Sequence, residues 1–240
     1  MSQIPLSLTF SEFDRKGLYL IFGDSTVLPL TESNVADVTR RFWEDPSKIS
    51  PEVRKHANFY PCALCPEAGN GVMCYAIRPV LPFLENIDRY FSHDRVIAVY
   101  RGDEDQILHI AESDMQNALN YICMLSILYY CRTGMRYKKY YHGVIPIMSF
   151  AQAVEKIYLN IYWLHKGKTR EISRFLKQFQ YDISAISGNA MKRLELLCKK
   201  DALLNAFYSM HMAVDFLAME KHNVLNKAFE LYDEKEVTEQ

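Results

Sequence analysis

The feature that most limits the fold is a change of hydrophobic period near Ser113-Asp114. Before it, apolar residues alternate in short runs; after it, no alternating run survives and apolar positions recur at helical spacing. Leu6, Leu8 and Phe10 share one face, a polar turn follows at residues 11–17, and Leu18 to Phe22 form the return arm of a predicted hairpin. A short strand is predicted at Thr26 to Leu30, after which Thr31 or Ser33 can cap a helix running to about Trp43 and stopped by Asp45-Pro46. Three prolines between Asp45 and Pro61 predict mostly irregular chain. Val80, Leu81, Phe83, Leu84, Ile87 and Phe91 repeat at helical spacing from Pro79 to Ser92. A second hairpin pairs Val96 to Arg101 with Ile107 to Glu112 through the turn at residues 102–106.

Beyond Asp114 the spacing predicts helices over 114–132, 147–166, 169–181 and 187–231, the last interrupted near Lys199-Lys200-Asp201. Short polar connections, Ser187-Gly188-Asn189 among them, suit antiparallel packing. The expectation is an α+β protein: a small antiparallel sheet with one or two helices over residues 1–112, then an all-helical bundle over 113–240 with a frayed acidic tail. With 49% apolar residues in 240, the chain can bury a sizeable core, which excludes a disordered or collagen-like polymer. Tyr121 to Cys131 form the longest apolar run, and even extended back to Ala118 it is short of the ~20 residues that span a bilayer. The first residues carry no export signal pattern, so the expected location is cytoplasmic, with no membrane partner.

In a reducing compartment six cysteines are free thiols or metal ligands rather than a disulfide framework. Cys62-Ala63-Leu64-Cys65-Pro66 is followed by Gly69-Asn70-Gly71 and Cys74. A two-residue gap lets two thiolates converge on one ion, and the glycines let the chain return with a third. A tetrahedral ion then lacks one ligand. His56 is the nearest candidate in sequence, while Cys123, Cys131 and His93 can reach the same point only through the fold. Thiolates select zinc, or an iron–sulfur cluster as the alternative, over magnesium or calcium.

The run Cys62-Ala63-Leu64-Cys65-Pro66, the segment from Cys74-Tyr75-Ala76-Ile77-Arg78-Pro79 to Glu85, the Arg101-Gly102-Asp103 turn and the helix opening at Gln116-Asn117-Ala118-Leu119 resemble an uncharacterised bacterial family with a C-x2-C-P…C-x-A-I-R-P segment. The resemblance covers the central third of the chain. It implies that the three cysteines belong together, and it carries no activity. The chain departs from the family in reading Thr133-Gly134-Met135-Arg136 where the family has Gly-Cys-Pro.

A net charge of -1 conceals a strong asymmetry: -6 over residues 1–130, +10 over 131–200 and -5 over 201–240. The basic stretch opens with Arg132, Arg136, Lys138 and Lys139 interleaved with Tyr137, Tyr140 and Tyr141. Such a surface suits an acidic protein partner or self-association with the acidic regions. Cations between aromatic platforms also suit single-stranded nucleic acid. On the last helix His211, Asp215 and His222 share one face, a polar stripe that reads as a partly buried structural pair or as a general base with its orienting acid. The reading that gathers these features is a non-catalytic regulatory or scaffolding protein with a three-cysteine metal site and a basic surface. Its alternatives are a single-stranded nucleic-acid binder and a metal-dependent or thiol redox enzyme.

Overall fold

The structure is a computed structural model, and it describes residues 10–57, 62–67, 73–102 and 107–219. Four antiparallel strands, β1 (Gly17–Ile21), β2 (Val27–Thr31), β3 (Arg95–Arg101) and β4 (Leu108–Asp114), form one sheet in the order β2-β1-β3-β4. In the register, Tyr19 faces Pro29 on one side and Val99 on the other, and Tyr100 faces His109. Pro29 is tolerated because β2 is an edge strand. Both edges of β1 are occupied, by β2 and β3. Phe10 instead opens a 3-10 turn, Phe10–Phe13, and Leu6 and Leu8 lie outside the described residues.

The alternation expected of the strands places Leu18, Leu20, Leu30, Val96 and Ala98 on the face that joins the main core. Tyr19, Ile21, Ile97 and Val99 gather with Phe13 on the other. Helix α1 (Glu32–Glu44) starts where Thr31 accepts the Asn34 N–H, and its Trp43 indole N–H donates to the Arg78 carbonyl. A 3-10 turn at Pro46–Lys48 and a short helix α2 (Pro51–Ala57) follow. The helix expected from Pro79 to Ser92 shrinks to a 3-10 turn at Leu81–Phe83 and one turn of α3 (Leu84–Ile87). Pro82 has no N–H for an interior helical bond. The chain then leaves at Asp88, whose carboxylate accepts the N–H groups of Lys199 and Lys200 at 2.8–2.9 Å.

Helix α4 (Met115–Leu125), capped by Asp114 on the Asn117 N–H, widens into a π-turn at Ser126–Tyr130. The short α5 (Arg132–Met135) and a 3-10 turn at Lys138–Tyr141 carry the basic stretch. Helix α6 (Phe150–Leu164) opens with a Ser149–Gln152 capping box. Helix α7 runs unbroken from Thr169 to Leu194, so the connection expected at Ser187-Gly188-Asn189 is helix instead. Ser187 Oγ donates to the Ile183 carbonyl and Asn189 Nδ2 to that of Ala185, which satisfies both side chains inside the helix. The interruption falls between Leu194 and Ala202, where α8 (Ala202–Met219) begins. Residues 220–231 of the last expected helix lie outside the described residues.

Helix α8 packs against α7, α4 and α6. By length and composition alone it is the one helix among the described residues apolar enough to cross a membrane. Its Leu203, Phe207, Val214 and Leu217 are buried in the core. One buried cluster runs from Leu18 and Leu30 in the sheet through Ile122 to Phe179 and Leu217 in the bundle. Sheet and bundle therefore share a single core.

A candidate four-cysteine metal centre and a basic cleft

The turn at residues 62–65 is closed by the Cys65 N–H donating to the Cys62 carbonyl at 2.9 Å, and the Cys74 carbonyl accepts from Ile77 at 3.2 Å. Cys131 occupies the N-cap position of α5, its carbonyl taking the Met135 N–H at 2.8 Å. These stretches come together because Ser126 Oγ donates to the Ala76 carbonyl and Thr133 Oγ1 donates to the Leu64 carbonyl at 3.1 Å. The result is a hollow of about 20 Å3 whose lining includes Cys62, Cys65, Cys74 and Cys131, with Thr133 and Ile186 also on its wall. That volume suits one water-sized occupant. At its mouth Arg132 bridges to Glu67 at 2.9 Å, and the Tyr75 hydroxyl bonds the same carboxylate.

Cys62 is buried and the other three are half-buried. Burial pushes the Cys74 thiol up, against the Arg193 guanidinium and the Ala76 N–H, which favour the thiolate. Burial also raises Cys131, against the N–H groups of Gly134 and Thr133 at the start of α5. Amide hydrogens aimed at sulfur are the outer support that a metal-bound thiolate uses. The four cysteines line one hollow. Among the described residues, however, no group of three or more His, Cys, Asp or Glu side chains stands ready as a metal-binding set.

His56, in the last turn of α2, is not among the residues lining the hollow, whereas Cys131, 57 positions beyond Cys74, is. Cys123 is fully buried inside α4 near Cys198, and His93 stacks on Phe91 at 5.7 Å.

The basic stretch divides into internal and outward groups. Arg136 donates to Asp182 at 3.2 Å, the Tyr137 hydroxyl donates to the same oxygen, and Gln178 donates to the second oxygen at 2.8 Å. Asp182 is 1% exposed, a buried carboxylate satisfied by three donors. Burial foremost, with Asp182 beside it, raises the Tyr137 phenol well above its ordinary value. Tyr140 packs its ring on Phe175 at 4.3 Å, tilted by 39°, and shares a 3.3 Å hydrogen bond with His165. Both tyrosines are buried, so they are not the base-stacking platforms that the sequence suggested. Arg132, Lys138 and Lys139 are exposed, and Lys138 Nζ stands 3.8 Å over the Tyr129 ring. Asn160 of α6 anchors the stretch by donating to the Tyr140 and His142 carbonyls.

Lys138 and Lys139 form one lip of a 750 Å3 cleft between this stretch, the start of β1 and α4, with Lys16, His109, Arg136 and His142 also on its wall. Among the described residues Glu32 is the one acidic residue lining it, and it is paired with Lys16 at 3.0 Å.

The pair expected on the last helix forms: His211 Nε2 lies 3.1 Å from Asp215 Oδ2, and Gln180 of α7 donates to Asp215 Oδ1 at 3.0 Å. Both groups are partly exposed and line neither the hollow nor the cleft, and His222 lies outside the described residues. The sequence offered no sign of Asp182, which looks like any surface carboxylate of an amphipathic helix until Tyr137 and Arg136 are brought against it. No protein-family model matches the chain, and comparison with curated proteins and with solved structures gave no match.

Proposed function

We propose that the chain is a non-catalytic regulatory or scaffolding protein of the cytoplasm, stapled by a structural metal and presenting its exposed cations to an acidic partner. One observation carries the reading: four thiols from three separate stretches, residues 62–65, Cys74 and Cys131, line a single hollow. Drawn onto one ion, four sulfurs would complete a tetrahedral shell and leave no open position, which is the arrangement of structural rather than catalytic zinc. The metal ties the turn at residues 62–65 and the stretch after Cys74 to the start of α5, and so to Arg132, which opens that helix, and to Lys138 and Lys139 beyond it. Zinc fits four thiolates and requires no redox partner; an iron–sulfur cluster is the second occupant of the same ligand set.

Metal analysis of protein purified under reducing conditions should return about one zinc per chain. Cys131→Ser should lose it as completely as Cys62→Ser or Cys74→Ser, while His56→Ala keeps it. Metal-free protein, or loss in His56→Ala with retention in Cys131→Ser, overturns the proposal. Visible absorbance from bound iron replaces zinc by the cluster.

A further inference from the structure

We propose that the basic cleft and an apolar hollow behind it form one binding site for a nucleoside monophosphate, with the phosphate on Lys138 and Lys139 and the base edge against Asn120 and Tyr141. This inference rests on the reading of the basic face as an anion-recruiting surface and is independent of the metal.

The cleft, at 750 Å3, has the size of a small-molecule site. A second space of about 80 Å3 lies beside it, lined by Asn120, Met148, Phe150, Ile157 and Met210, and the two share Tyr121, Met124, Tyr141, Val144 and Ile145 as a common wall. One space is rich in cations and the other is apolar, so together they match a ligand with an anionic end and a flat, weakly polar end.

Not every cation of the cleft is spent within the protein. Lys16 is paired with Glu32 and Arg136 with Asp182. Lys138 and Lys139 have only aromatic faces beneath them, and among the described residues no carboxylate reaches either. An incoming phosphate can therefore bind them without breaking an ion pair, in the field of the paired cations beside it.

Asn120 and Tyr141 are both on the wall of the inner space, and each carries a polar atom without a partner. Asn120 Oδ1 and Tyr141 Oη are buried and have no hydrogen-bond partner among the described residues. Buried polar atoms are nearly always satisfied, and an orphan costs stability. One is an acceptor. The other is a phenol that burial holds protonated far above neutral pH, and it is therefore a donor. An acceptor and a donor on one apolar space are what an exocyclic amino group and an adjacent ring nitrogen or carbonyl of a base would satisfy. Inorganic phosphate alone would leave both unmet. A long single strand would need exposed platforms, whereas Tyr137 and Tyr140 are buried and the unpaired cations sit at one lip.

The test is equilibrium titration of the full-length protein with AMP, GMP, CMP and UMP, alongside inorganic phosphate, the four nucleosides and a short single-stranded oligonucleotide. At least one monophosphate should bind ~10-fold or more tighter than phosphate and than its own nucleoside, one tenfold step being about 1.4 kcal/mol. Lys138→Gln with Lys139→Gln should weaken it ~10-fold and flatten its salt dependence. Tyr141→Phe should weaken monophosphate binding ~10-fold while raising the Tm of the free protein, because an unpaired buried hydroxyl is removed. A merely structural hydroxyl would move the Tm and leave binding unchanged. No monophosphate tighter than phosphate, unchanged binding in Tyr141→Phe, or an oligonucleotide bound more tightly than every monophosphate overturns the inference. Capture of poly-glutamate without any monophosphate binding would leave the acidic-partner reading standing and remove this one.

Discussion

Gly134 stands where α5 passes the π-turn at Ser126–Tyr130, so close that a Cβ there would overlap the carbonyl oxygen of Ile127. The obstacle is backbone, which cannot swing aside, and the same turn aims the Thr133 and Gly134 N–H groups at the Cys131 sulfur. Gly134→Ala should therefore destabilise the protein by about 2–4 kcal/mol in urea denaturation and reduce its metal content. Gly188 offers the control. It lies inside α7 with nothing near a Cβ, so Gly188→Ala should stabilise by roughly 0.5–1 kcal/mol through helix propensity alone. If both substitutions proved equally harmless, the close approach at Gly134 would be refuted.

At the scale of elements, two aspartates stitch the region after α3 to the turn between α7 and α8. Asp88 caps the Lys199 and Lys200 N–H groups, and Asp201 accepts from the Ser92 N–H at 2.9 Å and its hydroxyl at 2.8 Å. The Ser92 N–H is the main cause of a lowered Asp201 pKa, with the Ser92 hydroxyl also contributing. A carboxyl depressed in the folded state stabilises it above the unfolded value, near ~3.9, and that stability disappears as pH falls through the folded value. The Tm of the native chain should therefore decline as pH is lowered below about 4, and Asp201→Asn should flatten that part of the profile. A variant with an undiminished acid slope would show that Asp201 does not contribute to it.

One core joins sheet and bundle, with Cys74 and Cys131 packed against it, and the metal proposed above would tie the turn at residues 62–65 to that core. With a metal bound as proposed, its chelation should lower the Tm and open the stretches at residues 62–67 and 73–80 to protease, while the sheet and α7–α8 keep their protection from hydrogen exchange. Cys131→Ser should show the same protease pattern without chelator. The core sets an alkaline limit too. Burial raises the Cys123 thiol far above its ordinary value and, with Asp88 nearby, pushes Cys198 up to about 12. An acid whose folded pKa is raised contributes stability that is present below the unfolded value, near ~8.5, and lost as pH climbs toward the folded one. Stability should fall above about pH 9, and Cys198→Ala should reduce that slope; an unchanged alkaline limb would count against burial of these thiols as its source.

What the chain settles by itself is what repeats within a few residues. The alternation in residues 18–30 and 96–112, the caps at Thr31, Asp114 and Ser149, and the gap between Cys62 and Cys65 all act over one to four positions, where backbone geometry dictates which groups can meet. The folded molecule decides the rest. Cys131 rather than His56 joins the other thiols because Ser126 and Thr133 dock the end of α4 and the start of α5 on the chain around Leu64 and Ala76. Tyr137 and Tyr140 turn inward because Asp182, Phe175 and Phe179 offer them a hydrogen bond and ring contacts that solvent does not. Ser187-Gly188-Asn189 stays helical because its polar side chains find carbonyls of their own helix while Ile186 and Ala190 are buried beside them. Such contacts join residues tens of positions apart, and they are chosen by the packing of whole faces, a quantity that no local spacing in a sequence contains.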